Sequence, residues 1–133
     1  MPSRTAYIDT SLLIRMRFED AGRREAKRIE KYDRLFAGDL LIAETFAFAK
    51  REKLALESVL EATKGISWII PDRSLAGEIK AITELGYVRG ADLWHLACAC
   101  YLAPNPKDIT FLTRDARQRE VAGRLGFETP LFS

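Results

Sequence analysis

The chain has 133 residues, 47% hydrophobic and 30% charged, with a net charge of +2. That length fits one domain, 1–133, with a real core, and the balance is that of soluble globular proteins, not of disordered or membrane chains. No apolar run approaches the ~20 residues that span a bilayer, nothing before Asp9 resembles a secretory signal, and the expected address is the cytoplasm.

Tyr7 and Ile8 form a short apolar run that stops at Asp9, followed by Thr10, Ser11 and an amphipathic segment. This predicts a buried strand, a hydroxyl turn and a helix over Leu12–Phe18 that carries Leu12, Leu13 and Met16 inward. In an open parallel sheet, ligands sit outside the carboxyl ends of the strands, which puts Asp9 where chemistry occurs. An Asp at that point equally caps the next helix. Ala21–Gly38 predicts a second, strongly charged helix with Ala26, Ile29, Leu35 and Phe36 as its apolar marks and Gly38 as its stop. Asp39–Ala43 (DLLIA) is a continuous apolar run that suits a second buried strand. Glu44 follows at once and opens a helix with Phe46, Phe48 and Ala49. Further helices are expected over Leu54–Thr63, Asp72–Leu85, Ala91–Ala103 and Arg114–Leu125. Ser67–Ile70 and Ile109–Leu112 read as strands, and Phe127–Phe132 is a candidate fifth.

Strands alternating with helices argue for a three-layer α/β/α sandwich around a mainly parallel sheet of four to five strands. Neither G-x-G-x-x-G nor G-x-x-x-x-G-K-[ST] occurs, which removes the usual nucleotide-cradling arguments. Cys98 and Cys100 lie two apart in a helical segment, so they face different directions and are expected as reduced, buried thiols. With His95 as the one histidine, a zinc site lacks ligands.

Basic residues gather between Arg15 and Arg34, at Lys50, Arg51 and Lys53, and from Arg114 to Arg124. Such clusters can hold phosphates; they can also be solvated helix faces, with Glu25 and Glu30 pairing along their own helix. Trp94, Tyr101, Phe46, Phe48 and Trp68 have the spacing of core residues, while Tyr87 and Phe18 stand next to polar segments.

Four carboxylates stand out by context. Asp9 ends the first strand, Glu44 follows the second, Asp92 opens the apolar helix in GADLWHLACA, and Asp115 follows the fourth strand in TFLTRDAR. Each alone is explained by helix capping or by the macrodipole. In adjacent parallel strands, the four positions converge on one rim of the sheet. Clustered acids repel, and some stay protonated unless a divalent cation is bound. An all-oxygen donor set suits Mg²⁺ or Mn²⁺, and such an ion does useful work on a phosphodiester.

With YIDTSLLI around Asp9, LIAETFAFAKRE around Glu44, GADLWHLACA around Asp92 and FLTRDARQREVAGRLGF around Asp115, the chain resembles a PIN domain. The resemblance is to the small VapC-like ribonuclease toxins of toxin–antitoxin modules. It implies an α/β/α sandwich, an acidic pocket for Mg²⁺ or Mn²⁺, and endonucleolytic cleavage of RNA. It also implies metal or catalytic roles for Asp9, Glu44, Asp92 and Asp115, with Thr10 or Ser11 and Thr113 orienting acids or water. A homodimer and a cognate antitoxin partner come with the same resemblance. One departure is that no extra acid follows Asp92 on the next turn, where His95 stands instead. A packed, hydrogen-bonded histidine is expected there, with RNA contact or proton shuttling as the alternative. The other function considered is a non-catalytic scaffold that binds RNA or a protein partner, against which the intact quartet argues. Phosphatase chemistry with Asp9 as nucleophile wants a second acid two residues on, and position 11 is Ser.

Overall fold

The computed structural model describes residues 4–132. Four strands, β1 (Thr5–Ile8), β2 (Arg34–Gly38), β3 (Ile66–Ile69) and β4 (Ile109–Leu112), pair in parallel in the order β3-β2-β1-β4. Around them run α1 (Thr10–Phe18), α2 (Arg23–Ile29), α3 (Leu40–Arg51), α4 (Glu57–Ala62), α5 (Ala76–Thr83), α6 (Gly90–Leu102) and α7 (Ala116–Leu125).

Side-chain alternation along the strands makes the sheet a middle layer. Tyr7, Ile69, Ile109 and Phe111 point into a core shared with α5, α6 and α7, among Ile82, Leu96, Ala99 and Val121. Their strand neighbours Ala6, Ile8, Ala37 and Leu112 point the other way, onto Leu12, Leu13 and Met16 of α1, Ile29 of α2 and Leu41 of α3. Tyr7 and Phe111 are register partners, and their rings stack with centroids 5.3 Å apart. Such a pair is worth about 0.5–1.5 kcal/mol beyond the area it buries.

The expected elements around β1, α1, β3, β4, α6 and α7 are present with small shifts at their ends. The segment 21–43 is different. The helix stops at Ile29, and the second strand is Arg34–Gly38, not Asp39–Ala43. RLFAG alternates, with Leu35 and Ala37 toward one core and Phe36 toward the other. In DLLIA only Leu41 is fully buried while Asp39 and Ala43 are exposed, which is one face of the helix that begins at Leu40. A short apolar run does not by itself distinguish a strand from a buried helical turn. Phe127–Phe132 adds no fifth strand beyond one isolated parallel bridge from Glu128 to Thr110. Phe127 and Phe132 are apolar because each closes one end of a core.

Chain order runs outward from β1 through β2 to β3, then returns so that β4 lies on the other side of β1. The sheet therefore reverses its winding between β1 and β4, and the crevice beyond their carboxyl ends is the place where such sheets take ligands. Cys98 is buried and Cys100 half-buried on α6, both free. Burial pushes their thiols up to about 12 and about 11, so neither is a ready nucleophile. Among the described residues no helix is long and apolar enough to cross a membrane.

Candidate active site

Asp9 is the first residue beyond β1, and its N–H extends the ladder to the Leu112 carbonyl of β4. Its side chain caps α1, accepting the Leu12 N–H at 3.1 Å. Ser11 Oγ donates to the two carboxylate oxygens at 3.1 and 3.0 Å, and Thr113 Oγ1 lies 3.0 Å from Oδ2. The cap expected of an Asp at this point is present, and the same residue lines a cavity at the sheet edge. Only 2% exposed, Asp9 has its pKa raised to about 6 by burial, against the pull of the Leu12 N–H, His95, Thr113 and Ser11.

Thr113 stands at the end of β4 and links two of the acids. Its hydroxyl accepts the Asp115 N–H at 3.0 Å and lies 2.7 Å from Gln118 Oε1 as well as close to Asp9. Asp115 in turn caps α7 by accepting the Gln118 N–H at 2.8 Å. Gln118 is fully buried, and its Nε2 donates to the Asp92 carbonyl at 3.2 Å. That carbonyl fixes the amide orientation, since a flipped amide would set two acceptors face to face. The D-x-x-Q spacing from Asp115 to Gln118 is a capping-box pattern. Here the glutamine reaches across to Thr113 and α6, a role the sequence reading missed although the spacing was visible.

Glu44 lies inside α3, more than a turn from its start, because the strand before it is Arg34–Gly38. It reaches the rim by way of His95 and Thr10. His95 Nε2 is 2.8 Å from Glu44 Oε1, and Thr10 Oγ1 donates to the same oxygen at 2.7 Å. On the other side of the ring, Nδ1 is 2.6 Å from the Tyr7 hydroxyl, which accepts the Gly38 N–H at 2.9 Å. His95 is the packed, hydrogen-bonded residue that its place one turn after Asp92 suggested, but its partners were not foreseen. Burial raises the Glu44 pKa less than the hydrogen bonds from His95 and Thr10 lower it, so it sits below the usual carboxylate range.

Asp92 occupies the first turn of α6 with its carboxylate free of hydrogen bonds among the described residues. Burial and the neighbouring Asp115 raise its pKa, and Glu44 adds to the effect, while Arg89 and His95 oppose it. A cavity of about 500 Å³ holds Asp9, Thr10, Ser11, Glu44 and Asp92; a second, of about 260 Å³, holds Asp92 and Asp115. Asp92 and Arg89 line both, so the four acids border one stretch of the molecule. Arg51 lines the first cavity, and Arg117 and Tyr87 line the second.

Among the described residues no group of three or more His, Cys, Asp or Glu side chains is arranged to hold a metal ion. The donor chemistry still fits one kind of ion. Mg²⁺ is commonly held by one or two carboxylates, with water and substrate phosphate filling its other positions. Asp92 and Asp115 are such a pair, lining one cavity with the Asp115 charge raising the Asp92 pKa, whereas the acceptor sites of Asp9 are largely taken by Ser11, Leu12 and Thr113. A family model described as PIN domain matches residues 6–124. Among curated proteins, none matches the chain.

Proposed function

The chain belongs to the PIN domain family, a family of nucleases, and from that premise we propose that it is a metal-dependent endoribonuclease working with Mg²⁺ or Mn²⁺. The observation that carries the reading is the convergence of Asp9, Glu44, Asp92 and Asp115 on the carboxyl edge of the sheet, where its winding reverses between β1 and β4. Asp92 and Asp115 would hold the ion, with Asp9 and Glu44 lining the adjoining cavity. When bound, such an ion supplies an activated water at neutral pH and offsets charge on the phosphate. Glu44 is ionised and orients the attacking water through Oε2. Ser11 and Thr113 hold the Asp9 carboxylate, and Thr10 helps to hold Glu44. Arg51, Arg89 and Arg117 line the cavities and take the RNA backbone as phosphate contacts.

Cleavage of single-stranded RNA by the wild type should require Mg²⁺ or Mn²⁺ and stop in EDTA. Asp92→Asn and Asp115→Asn should each lower it by roughly two orders of magnitude or more. EDTA-insensitive cleavage, or full activity in both variants, overturns the reading. The likeness to VapC-like toxins extends the proposal to a type II toxin, a homodimer in the cytoplasm silenced by a cognate antitoxin. Its test is whether the small protein encoded next to this one binds the chain and suppresses cleavage.

One observation favours the alternative of a non-catalytic RNA-binding scaffold: the acids do not form a ready three-ligand cage. RNA binding without turnover, across a broad panel of RNAs and both metals, would establish that alternative.

A further inference from the structure

Tyr7 and His95 carry polar atoms into the core, where an apolar pair would pack with less cost. Tyr7 is wholly buried and His95 is 1% exposed. Buried polar groups of this kind persist when every one of them is satisfied. The Gly38 N–H donates to the Tyr7 oxygen at 2.9 Å, so the hydroxyl proton is free to turn toward His95 Nδ1, 2.6 Å away. With Nδ1 accepting, the ring proton sits on Nε2, which faces Glu44 Oε1 at 2.8 Å and Thr10 Oγ1 at 3.1 Å. Both ring nitrogens are then committed, and no lone pair is left to take a proton from a substrate.

A second observation shows that the fold makes room for this chain of bonds. A Cβ on Gly38 would stand 3.0 Å from the Tyr7 hydroxyl oxygen and 3.0 Å from Cys98 Sγ. The close approach of backbone to hydroxyl thus needs a residue without a side chain at the end of β2. The line of bonds joins β2, β1, α6 and α3, and it ends on one oxygen of Glu44. The other oxygen, Oε2, has no hydrogen-bond partner among the described residues.

We propose that Tyr7 and His95 are positioning residues that lock the Glu44 carboxylate by its Oε1 and leave Oε2 alone to meet the attacking water or the ion. This rests on the nuclease reading above. It assigns His95 a holding role in place of the proton shuttle, and it makes a core tyrosine on β1 part of the apparatus.

The test contrasts two substitutions of similar size. Gln at 95 sets an N–H near the position of Nε2, while Asn at 95 reaches only the position of Nδ1. His95→Gln keeps the bond to Glu44 but loses the acceptor for Tyr7, so its kcat should fall no further than that of Tyr7→Phe. His95→Asn should lower it roughly 10–100-fold, the usual cost of losing such a supporting bond, with KM unchanged. Tyr7→Phe should lower kcat less, with ring packing intact, and melting curves establish that each variant is folded. Imidazole ¹⁵N spectra of the wild type should show the proton on Nε2, with Nδ1 as the acceptor from Tyr7. Glu44→Gln should move the Nε2 resonance and Tyr7→Phe the Nδ1 resonance.

A folded His95→Asn with wild-type kcat overturns the proposal, as does a ring protonated on Nδ1. If the wild type cleaves no RNA, the nuclease reading fails by itself. The nitrogen spectra then still decide whether the Tyr7–His95–Glu44 line exists, and unmoved resonances in both variants overturn it.

Discussion

The carboxyl group of Asp9 has duties that pull its protonation in opposite directions. As the cap of α1 and the acceptor for Ser11 and Thr113 it is best ionised, yet burial has raised its pKa from 3.8 to about 6. The folded state therefore binds this proton more tightly than the unfolded state. Its contribution to stability is full below pH 4 and is lost as pH rises through 6, a difference of about 3 kcal/mol for a shift of some two units. The Thr113 hydroxyl compounds this, having one proton for two acceptors, Asp9 Oδ2 and Gln118 Oε1. An asparagine at position 9 could donate to Thr113 and free that proton for Gln118. Asp9→Asn is therefore expected to raise stability at pH 7.5 by about 1–3 kcal/mol and to flatten the fall between pH 4 and 6, while removing nuclease activity. Thermal denaturation at a series of pH values reads both effects; a wild-type protein whose stability climbs over that range contradicts them.

At the scale of elements, α1 and α2 are tied by an ion pair that the charge pattern concealed. Glu25 does not pair along its own helix; it accepts the Arg15 guanidinium of α1 at 3.0 Å, nearly buried. Burial alone would raise the Glu25 pKa, but bonds from its own backbone N–H and from Arg15, with the charge of Arg114, hold it below the usual range. Stability from this pair is present above the ordinary carboxylate pKa and is lost as pH falls through the lowered one. Glu25→Gln should cost about 1–3 kcal/mol at pH 7, and less near pH 3, by urea denaturation at both. An equal cost at the two pH values would mean that packing, not charge, is what the substitution removes. The same region shows where sequence patterning ran out. β1 and β4 were legible because each is an apolar run that ends near an acid. β2 was not, since RLFAG opens on a charge directly after a charged helix, while DLLIA next to it had the composition of a strand.

For the molecule as a whole, the parallel sheet and the order of the four acids could be read from the chain, because each acid follows an apolar run or opens an apolar helix. The bonds that brace them could not. Tyr7 is buried where periodicity marks core, and although the place of His95 and the D-x-x-Q spacing of Gln118 were visible, the partners that each reaches were not. If Asp92 and Asp115 share an ion, binding adds to global stability by mass action. Mn²⁺ at a hundredfold excess over its dissociation constant should stabilise the wild type by about 2.7 kcal/mol. Differential scanning calorimetry should show this rise in Tm, reversed by EDTA and absent from Asp92→Asn. A rise of equal size in the variant would place the cation elsewhere.

The seating of β1 between β2 and β4 also sets a timetable. Its first neighbour is made within about thirty residues, but the second arrives only with Ile109–Leu112. During synthesis on the ribosome the edge of β1 stays bare, and Asp9 has no Thr113 to lean on. Asp9 thus gains its partner on β4, and Asp115 just beyond it, only after more than a hundred residues have been made.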